Sequence, residues 1–426
     1  MYKLINAEID GFWGTSKLTV DLNEKTNIII GRNGSGKTTF MDILQGVLEV
    51  DMATINNLEF DSVKLKLKDG RKIITISARK LDVEDFKHQI IEYKISRKSY
   101  QIRVIQNVEL SRYPSYARYR FMENFKEVKQ KLREIIEISS ISVYRMKRDV
   151  LLQHENDSNT YISPVDEMLN KLINEFTQYQ LLLSQDASRI ANQLQVEVLI
   201  SLLDVDDKDY AFTLDFDKEK EKKLISSAYK QLGVTIPSLQ NKVNSYVNSV
   251  SNTTAALKRI IDKEKQPESK HDDDKRLKIM PLERISCIRK IISLSLDAEK
   301  RTKDIFSHLD LFIKILGKFF NDKTVKLLNG RIIVSKDERN VDIEKLSSGE
   351  KQLFILLMQA LLQNKRPCLY MADEPELSLH ISWQREIIPA IININPNAQI
   401  LVATHSPEVA GKYRDNIVFM ERIVHG

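Results

Sequence analysis

Gly31-Arg32-Asn33-Gly34-Ser35-Gly36-Lys37-Thr38 follows the β-branched run Asn27-Ile28-Ile29-Ile30. After it, Phe40, Met41, Ile43, Leu44, Val47 and Leu48 recur at helical spacing. Strand, Gly-x-x-x-x-Gly-Lys-Thr, helix is the context of a phosphate-binding loop. Its glycines let the backbone curl so that successive N–H groups face an anion. The helix start adds partial positive charge. Lys37 is placed to reach the β- and γ-phosphates, and Thr38 to hold Mg²⁺ through its hydroxyl. Gly31, Asn33, Gly34, Ser35, Gly36, Lys37, Thr38 and Thr39 are the expected nucleotide-binding residues.

A complementary set stands at the other end of the chain. The apolar run Cys368-Leu369-Tyr370-Met371-Ala372 ends in Asp373-Glu374-Pro375. A buried strand would deliver both carboxylates to the edge of a sheet beside the glycine loop. Asp373 is then the Mg²⁺ carboxylate, and Glu374 the group that polarises an attacking water. Leu346-Ser347-Ser348-Gly349-Glu350-Lys351-Gln352 opens the apolar helix pattern Leu353 to Leu362. Serine followed by glycine at a helix start offers a hydroxyl and N–H groups to an anion, although a plain helix cap reads the same way. Val402-Ala403-Thr404-His405-Ser406-Pro407 ends another strand pattern in a histidine. The two ends must therefore fold into one lobe.

The segment between them separates by pattern. Tyr2 to Ile9 and Leu18 to Leu22 alternate apolar and polar residues. Val63 to Leu67 and Ile73 to Ile76 flank Asp69-Gly70, a hairpin signal, and Ile90 to Ile95 and Tyr100 to Ile105 are strand-like. Residues 58–107 read as a small antiparallel sheet attached to the loop. The chain turns helical and charged from about 115 to 135, and Ile138 to Tyr144 reads as a strand returning to the head. Residues 164–320 carry only Gly233 and Gly317 as glycines and read as helices, broken near Gly233 to Pro237 and at Gln266 to Asp274. Lys326 to Val334 is a second hairpin. The expected fold class is α/β: a head of mixed β core plus antiparallel subdomain, split by a helical or short coiled-coil insertion. Its expected parts are residues 1–150, 151–322 and 323–426.

These four motifs resemble those of ATP-binding-cassette ATPases. The form Ser-Ser-Gly-Glu-Lys resembles the SMC and RecF branch, and Glu376-Leu377-Ser378-Leu379-His380 with Trp383-Gln384 resembles OLD-type defence ATPases. The resemblance implies ATP and Mg²⁺ as cofactors and ATP hydrolysis as the activity. Lys37, Glu374 and His405 would be catalytic, His405 as a sensor of the γ-phosphate. Ser347, Gly349 and Glu350 would close on the nucleotide of a second head, in a head-to-head homo-oligomer. Ser348 replaces a usual glycine, and His380 stands where an aspartate is common. The family's loop glutamine is open between Gln89, Gln106 and Gln153.

The opening Ile9-Asp10-Gly11-Phe12-Trp13-Gly14 resembles the AriA-like ATPases of PARIS anti-phage systems, with Septu-type ATPases as near relatives. That implies an oligomeric scaffold holding a separate nuclease in trans, of TOPRIM type (AriB-like) or HNH type, until a phage-encoded protein triggers its release. With the chain ending at Gly426, the expectation is that any nuclease comes from a partner. A RecF-like ATPase clamping DNA directly and a transporter subunit are the competing readings.

Bulk properties constrain less. A chain of 426 residues with 42% hydrophobic residues can build roughly two or three packed domains. No apolar run approaches bilayer length and the N-terminus is unlike a signal peptide, so the expectation is a cytoplasmic protein without membrane contact. Cys287 and Cys368 have no zinc or disulfide spacing. A net charge of +6 permits nucleic-acid contact without requiring it. Arg112 to Phe121 interleaves aromatics with arginines, which suits tyrosines packed on the head better than bases stacked on them.

Overall fold

The computed structural model describes residues 1–81, 90–103, 115–142, 163–201, 216–233, 237–264 and 280–425. They form two compact units, Met1–Thr177 with His308–Gly426, and Gln178–Ser307. In the first unit the strands run β1 (Lys3–Phe12), β2 (Ser16–Asp21), β3 (Thr26–Ile30), β4 (Ser62–Asp69), β5 (Lys72–Leu81), β6 (Ile90–Ile95), β7 (Lys98–Arg103) and β8 (Ile138–Ser142). They continue as β9 (Thr324–Leu328), β10 (Arg331–Lys336), β11 (Arg339–Val341), β12 (Leu369–Asp373), β13 (Gln399–Thr404), β14 (Ile417–Phe419) and β15 (Val424–His425).

Five strands form a sheet in the order β14-β3-β13-β12-β8, and each of its pairings is parallel. The mixed core expected from sequence is thus parallel among the described residues. Its strands β12 and β13 are buried along their length because both faces are covered. On one face Leu369, Met371, Leu401 and Ala403 share a core with Phe40, Ile43, Leu44 and Val47 of the helix Lys37–Glu49. On the other face the Tyr370 hydroxyl donates to the Leu356 carbonyl at 2.8 Å, from within the helix Ser348–Leu362.

A second sheet covers the far side of Lys37–Glu49. Its order is β15-β2-β1-β4-β5-β6-β7, antiparallel throughout. Sequence patterning separates the hairpin strands from the N-terminal ones, whereas the structure joins them. β1 pairs with β2 along one edge and with β4 along the other, aligning Ala7 with Leu65 and Ile9 with Val63. Alternation sets which face is apolar but leaves open which edge finds which partner. Leu65, Leu67 and Tyr93 complete the core over the helix, and the Tyr93 hydroxyl donates to the Val47 carbonyl at 3.0 Å.

β9, β10 and β11 form a small separate sheet just before Ser347. Its first turn, Asn329-Gly330, has φ of 50° and 74°, the geometry a two-residue hairpin requires.

The second unit is helical among its described residues. Lys218–Gln231, Leu239–Glu264 and part of Met280–Phe319 contribute Ile225, Ala228, Val243, Val247 and Ile292 to one core. The Arg289 guanidinium donates twice to Glu221 Oε1, at 3.0 and 3.1 Å. The break at Gln266 to Asp274 lies outside the described residues. Among the described residues no helix is long and apolar enough to cross a membrane.

Candidate nucleotide site

The parallel register brings the chemistry together. Asp373, at the end of β12, aligns with Ala403 of β13, and Thr404 aligns with Ile30 of β3. The glycine loop, the acidic pair and the histidine therefore emerge at one sheet edge. Asn33, Gly34, Ser35, Gly36, Lys37, Thr38, Thr39, Glu374, Leu377, His405 and Trp13 line a single cleft there.

Gly36 caps the helix Lys37–Glu49 with φ 94°, a backbone state that disfavours any side chain. A Cβ there would also meet the Phe12 ring at 2.8 Å and the Trp13 ring at 2.9 Å. The buried Lys37 ammonium donates to the carbonyls of Gly31 at 2.8 Å and Arg32 at 3.1 Å. Ser35 Oγ is buried without a partner among the described residues, a donor available to a phosphate oxygen.

Asp373 is 3% exposed, and among the described residues neither of its oxygens has a hydrogen-bond partner of ordinary geometry. The Thr38 hydroxyl lies beside it. Burial raises the carboxyl to about 6; Glu374 and Asp42 add to the rise, and Thr38 and Lys37 oppose it. A buried, unpartnered carboxylate beside a threonine hydroxyl is a donor set suited to a hard cation such as Mg²⁺.

Glu374 leaves its strand at φ 47°, a left-handed state held by its N–H donating to the Ala403 carbonyl at 2.7 Å. Its Oε1 lies 3.2 Å from His405 Nδ1. The next acid, Glu376, is buried, and its Oε1 accepts from the Thr404 hydroxyl and from the N–H groups of His405 and Ser406.

Ser347, Gly349 and Glu350 do not line this cleft. Ser347 caps the helix Ser348–Leu362, and Glu350 returns a carboxylate to it: Ser347 N–H donates to Glu350 Oε2 at 2.9 Å and the Ser347 hydroxyl at 2.8 Å. The other Glu350 oxygen pairs with Lys323. Burial works to raise this carboxyl, but Lys323 and Ser347 hold it below its ordinary value. Lys351 pairs with Asp166 at 2.7 Å. Gly349 is buried, while Ser347 and Ser348 are exposed.

Three contributors escaped the sequence reading of the site. Trp13, with φ 56° and its ring 4.8 Å from that of Phe12, stands 43% exposed at the cleft. Glu421 accepts the Arg32 N–H at 2.8 Å, which together with Lys37 holds its carboxyl below the ordinary range. Glu376 is the third. Trp13 and Glu376 each stood inside a motif singled out in the sequence, without a site role, whereas Glu421 left no sequence signal. Gln89, Gln106 and Gln153 lie outside the described residues, as do the side chains from Arg112 to Phe121.

Residues 2–410 match the family model described as AAA ATPase domain. The chain is 23% identical over 435 residues to the Retron Vc95 probable ATPase of Vibrio cholerae serotype O1 biovar El Tor, covering 96% of this chain and 71% of that protein. It is 34% identical over 89 residues to the Retron Ec83 probable ATPase of Escherichia coli, covering 18% of this chain and only 16% of that protein. Among solved structures, the Smc head domain of Pyrococcus furiosus, with an extended coiled coil and bound to the C-terminal domain of ScpA, is 14% identical at TM-score 0.42, covering 96% of this chain and 92% of that one. The SMC head domain from Thermotoga maritima is 12% identical at TM-score 0.39, covering 96% and 91%.

Proposed function

The chain belongs to the AAA ATPase domain family, and we propose that it binds ATP with Mg²⁺ in the cleft between the glycine loop and Glu374 and works as an oligomeric scaffold in anti-phage defence. The observation that carries the nucleotide part is the convergence of Lys37, Thr38, Asp373, Glu374 and His405 at one sheet edge. The loop N–H groups and Lys37 bind the phosphates. Trp13 offers a ring on which a base can stack. Asp373 and Thr38 would hold Mg²⁺, which when bound would offset negative charge on the phosphate oxygens. Glu374 takes a proton from the attacking water and His405 donates to the γ-phosphate.

The position of Ser347 and Ser348 supports an oligomer. They are exposed and lie outside their own chain's cleft, as expected of groups that close on a second copy's nucleotide. The defence reading draws on the resemblance to AriA-like ATPases and on relatives named as retron ATPases, each by name one component of a retron. In that reading the scaffold holds a TOPRIM or HNH nuclease until a phage protein releases it.

Two measurements test this. Light scattering on the Glu374→Gln chain with ATP and Mg²⁺ should give a multimer that dissociates on nucleotide removal; a monomer throughout rejects the scaffold. Co-expression with the product of the adjacent gene should recover a nuclease complex. Recovery of salt-sensitive, ATP-dependent DNA binding with no protein partner would replace the scaffold with a DNA clamp.

A further inference from the structure

Glu376 is 5% exposed and lies behind the cleft, not in it. A carboxylate is costly to bury unless hydrogen bonds replace its water. Here three donors meet one oxygen: the Thr404 hydroxyl, and the N–H groups of His405 and Ser406, both at 3.2 Å. The other oxygen, Oε2, is buried with no partner among the described residues. All three donors belong to the turn that carries His405.

That turn is bound on its other side as well. The Ser406 N–H donates to Thr404 Oγ1 at 2.9 Å, and the Ser406 hydroxyl to Gln384 Oε1 at 2.7 Å. Gln384 Nε2 donates to the Leu379 carbonyl at 3.0 Å. Glu376 is itself fixed relative to Glu374. Its carbonyl accepts the Leu379 N–H at 2.9 Å, and the Glu374 carbonyl accepts the Leu377 N–H at 3.2 Å. One short turn thus carries the group facing the water, at Glu374, and the group that holds the histidine, at Glu376.

We infer that Glu376 is a positioning residue, whose buried carboxylate sets His405 against Glu374 by gathering the backbone and hydroxyl donors of Thr404–Ser406. It touches no substrate and acts through His405. The inference rests on the reading that Glu374 and His405 act on nucleotide in this cleft. A misplacement of about 1 Å at a reacting group costs about 100-fold in rate, whereas the glycine loop that binds the phosphates is elsewhere in the chain. The effect therefore falls on kcat and spares nucleotide affinity.

The test uses the full chain and follows phosphate release, the affinity for a non-hydrolysable ATP analogue and the thermal midpoint. Glu376→Ala should lose about 100-fold in kcat with KM and analogue affinity within about 2-fold. Glu376→Gln keeps an acceptor oxygen in place and should recover most of the rate. Thr404→Val removes one donor, keeps the carboxylate, and should lose about 10-fold in kcat; it carries the test if the alanine variant does not fold. Wild-type kcat in a folded Glu376→Ala or in Thr404→Val overturns the inference. So does a glutamine variant as slow as the alanine one, or a parallel loss of analogue affinity. Glu374→Gln is the control: if it too turns over normally, the cleft assignment fails, and not this inference alone.

Discussion

Gly349 abuts the carbonyl of Ser378 so closely that a Cβ added at Gly349 would stand 2.3 Å from that oxygen. Ser378 belongs to the turn that follows Glu374 and is itself left-handed, with φ 63°. The helix start that bears Ser347 therefore packs directly on the turn that bears Glu374 and Glu376. Sequence reasoning assigns Gly349 to anion contact; its place in the structure gives it this close approach within its own chain. Gly349→Ala should destabilise the chain by about 1–3 kcal/mol through overpacking, read by urea unfolding. It should also slow turnover more than it weakens analogue binding, because the displaced turn carries Glu374. A neutral substitution on both counts would refute the contact.

Among the described residues, Lys37 donates to carbonyls of its own loop, Gly31 and Arg32. On the proposed reading, its ammonium exchanges those acceptors for phosphate oxygens. Lys37→Ala should weaken nucleotide binding about 10- to 100-fold, the range for lost charge-assisted hydrogen bonds. Titration with a fluorescent ATP analogue reads this directly, and unchanged affinity would remove Lys37 from the site.

Glu374→Gln keeps the side chain's size and its place near His405 but removes the basic oxygen. Turnover should fall about 100- to 10,000-fold while binding persists. Single-turnover phosphate release is the measurement. A wild-type rate would mean that another group polarises the water.

Asp373 supplies a pH dependence with a definite sign. Burial raises its carboxyl from an ordinary 3.8 to about 6. Between those values the folded chain keeps a proton that the unfolded chain has lost. Stability linked to this group is therefore intact at low pH, falls as pH rises through that window, and stays lower above it. The full difference is on the order of 3 kcal/mol. Asp373→Asn should then stabilise the metal-free chain near about pH 7.5, with the gain shrinking to about 1 kcal/mol toward about pH 4.5. Urea unfolding at the two pH values checks it, and an equal gain at both would show that burial is not the cause. The same substitution should abolish Mg²⁺-dependent turnover.

The amino-acid sequence alone located the short motifs. The Gly31–Thr38 loop, the Asp373-Glu374 pair and His405 were legible because each is a short run of residue types whose chemistry depends on immediate neighbours. The strand before the loop, the helix after it and both hairpins were legible for the same reason, through periodicity and turn residues. Tertiary structure decided everything that depends on long-range pairing. β1 could have kept β2 as its only neighbour, yet the core over Lys37–Glu49 is closed only when β4 takes its other edge. Glu376 looks like any acid in a loop until the parallel register of β12 and β13 sets Thr404, His405 and Ser406 around its carboxylate. Gly349 reads from sequence as an anion-binding glycine, and only the fold shows that Ser378 packs against it. Motif chemistry is written in adjacent residues, whereas burial, close approach and hydrogen-bond convergence arise between residues far apart in the chain, and only the folded backbone brings those together.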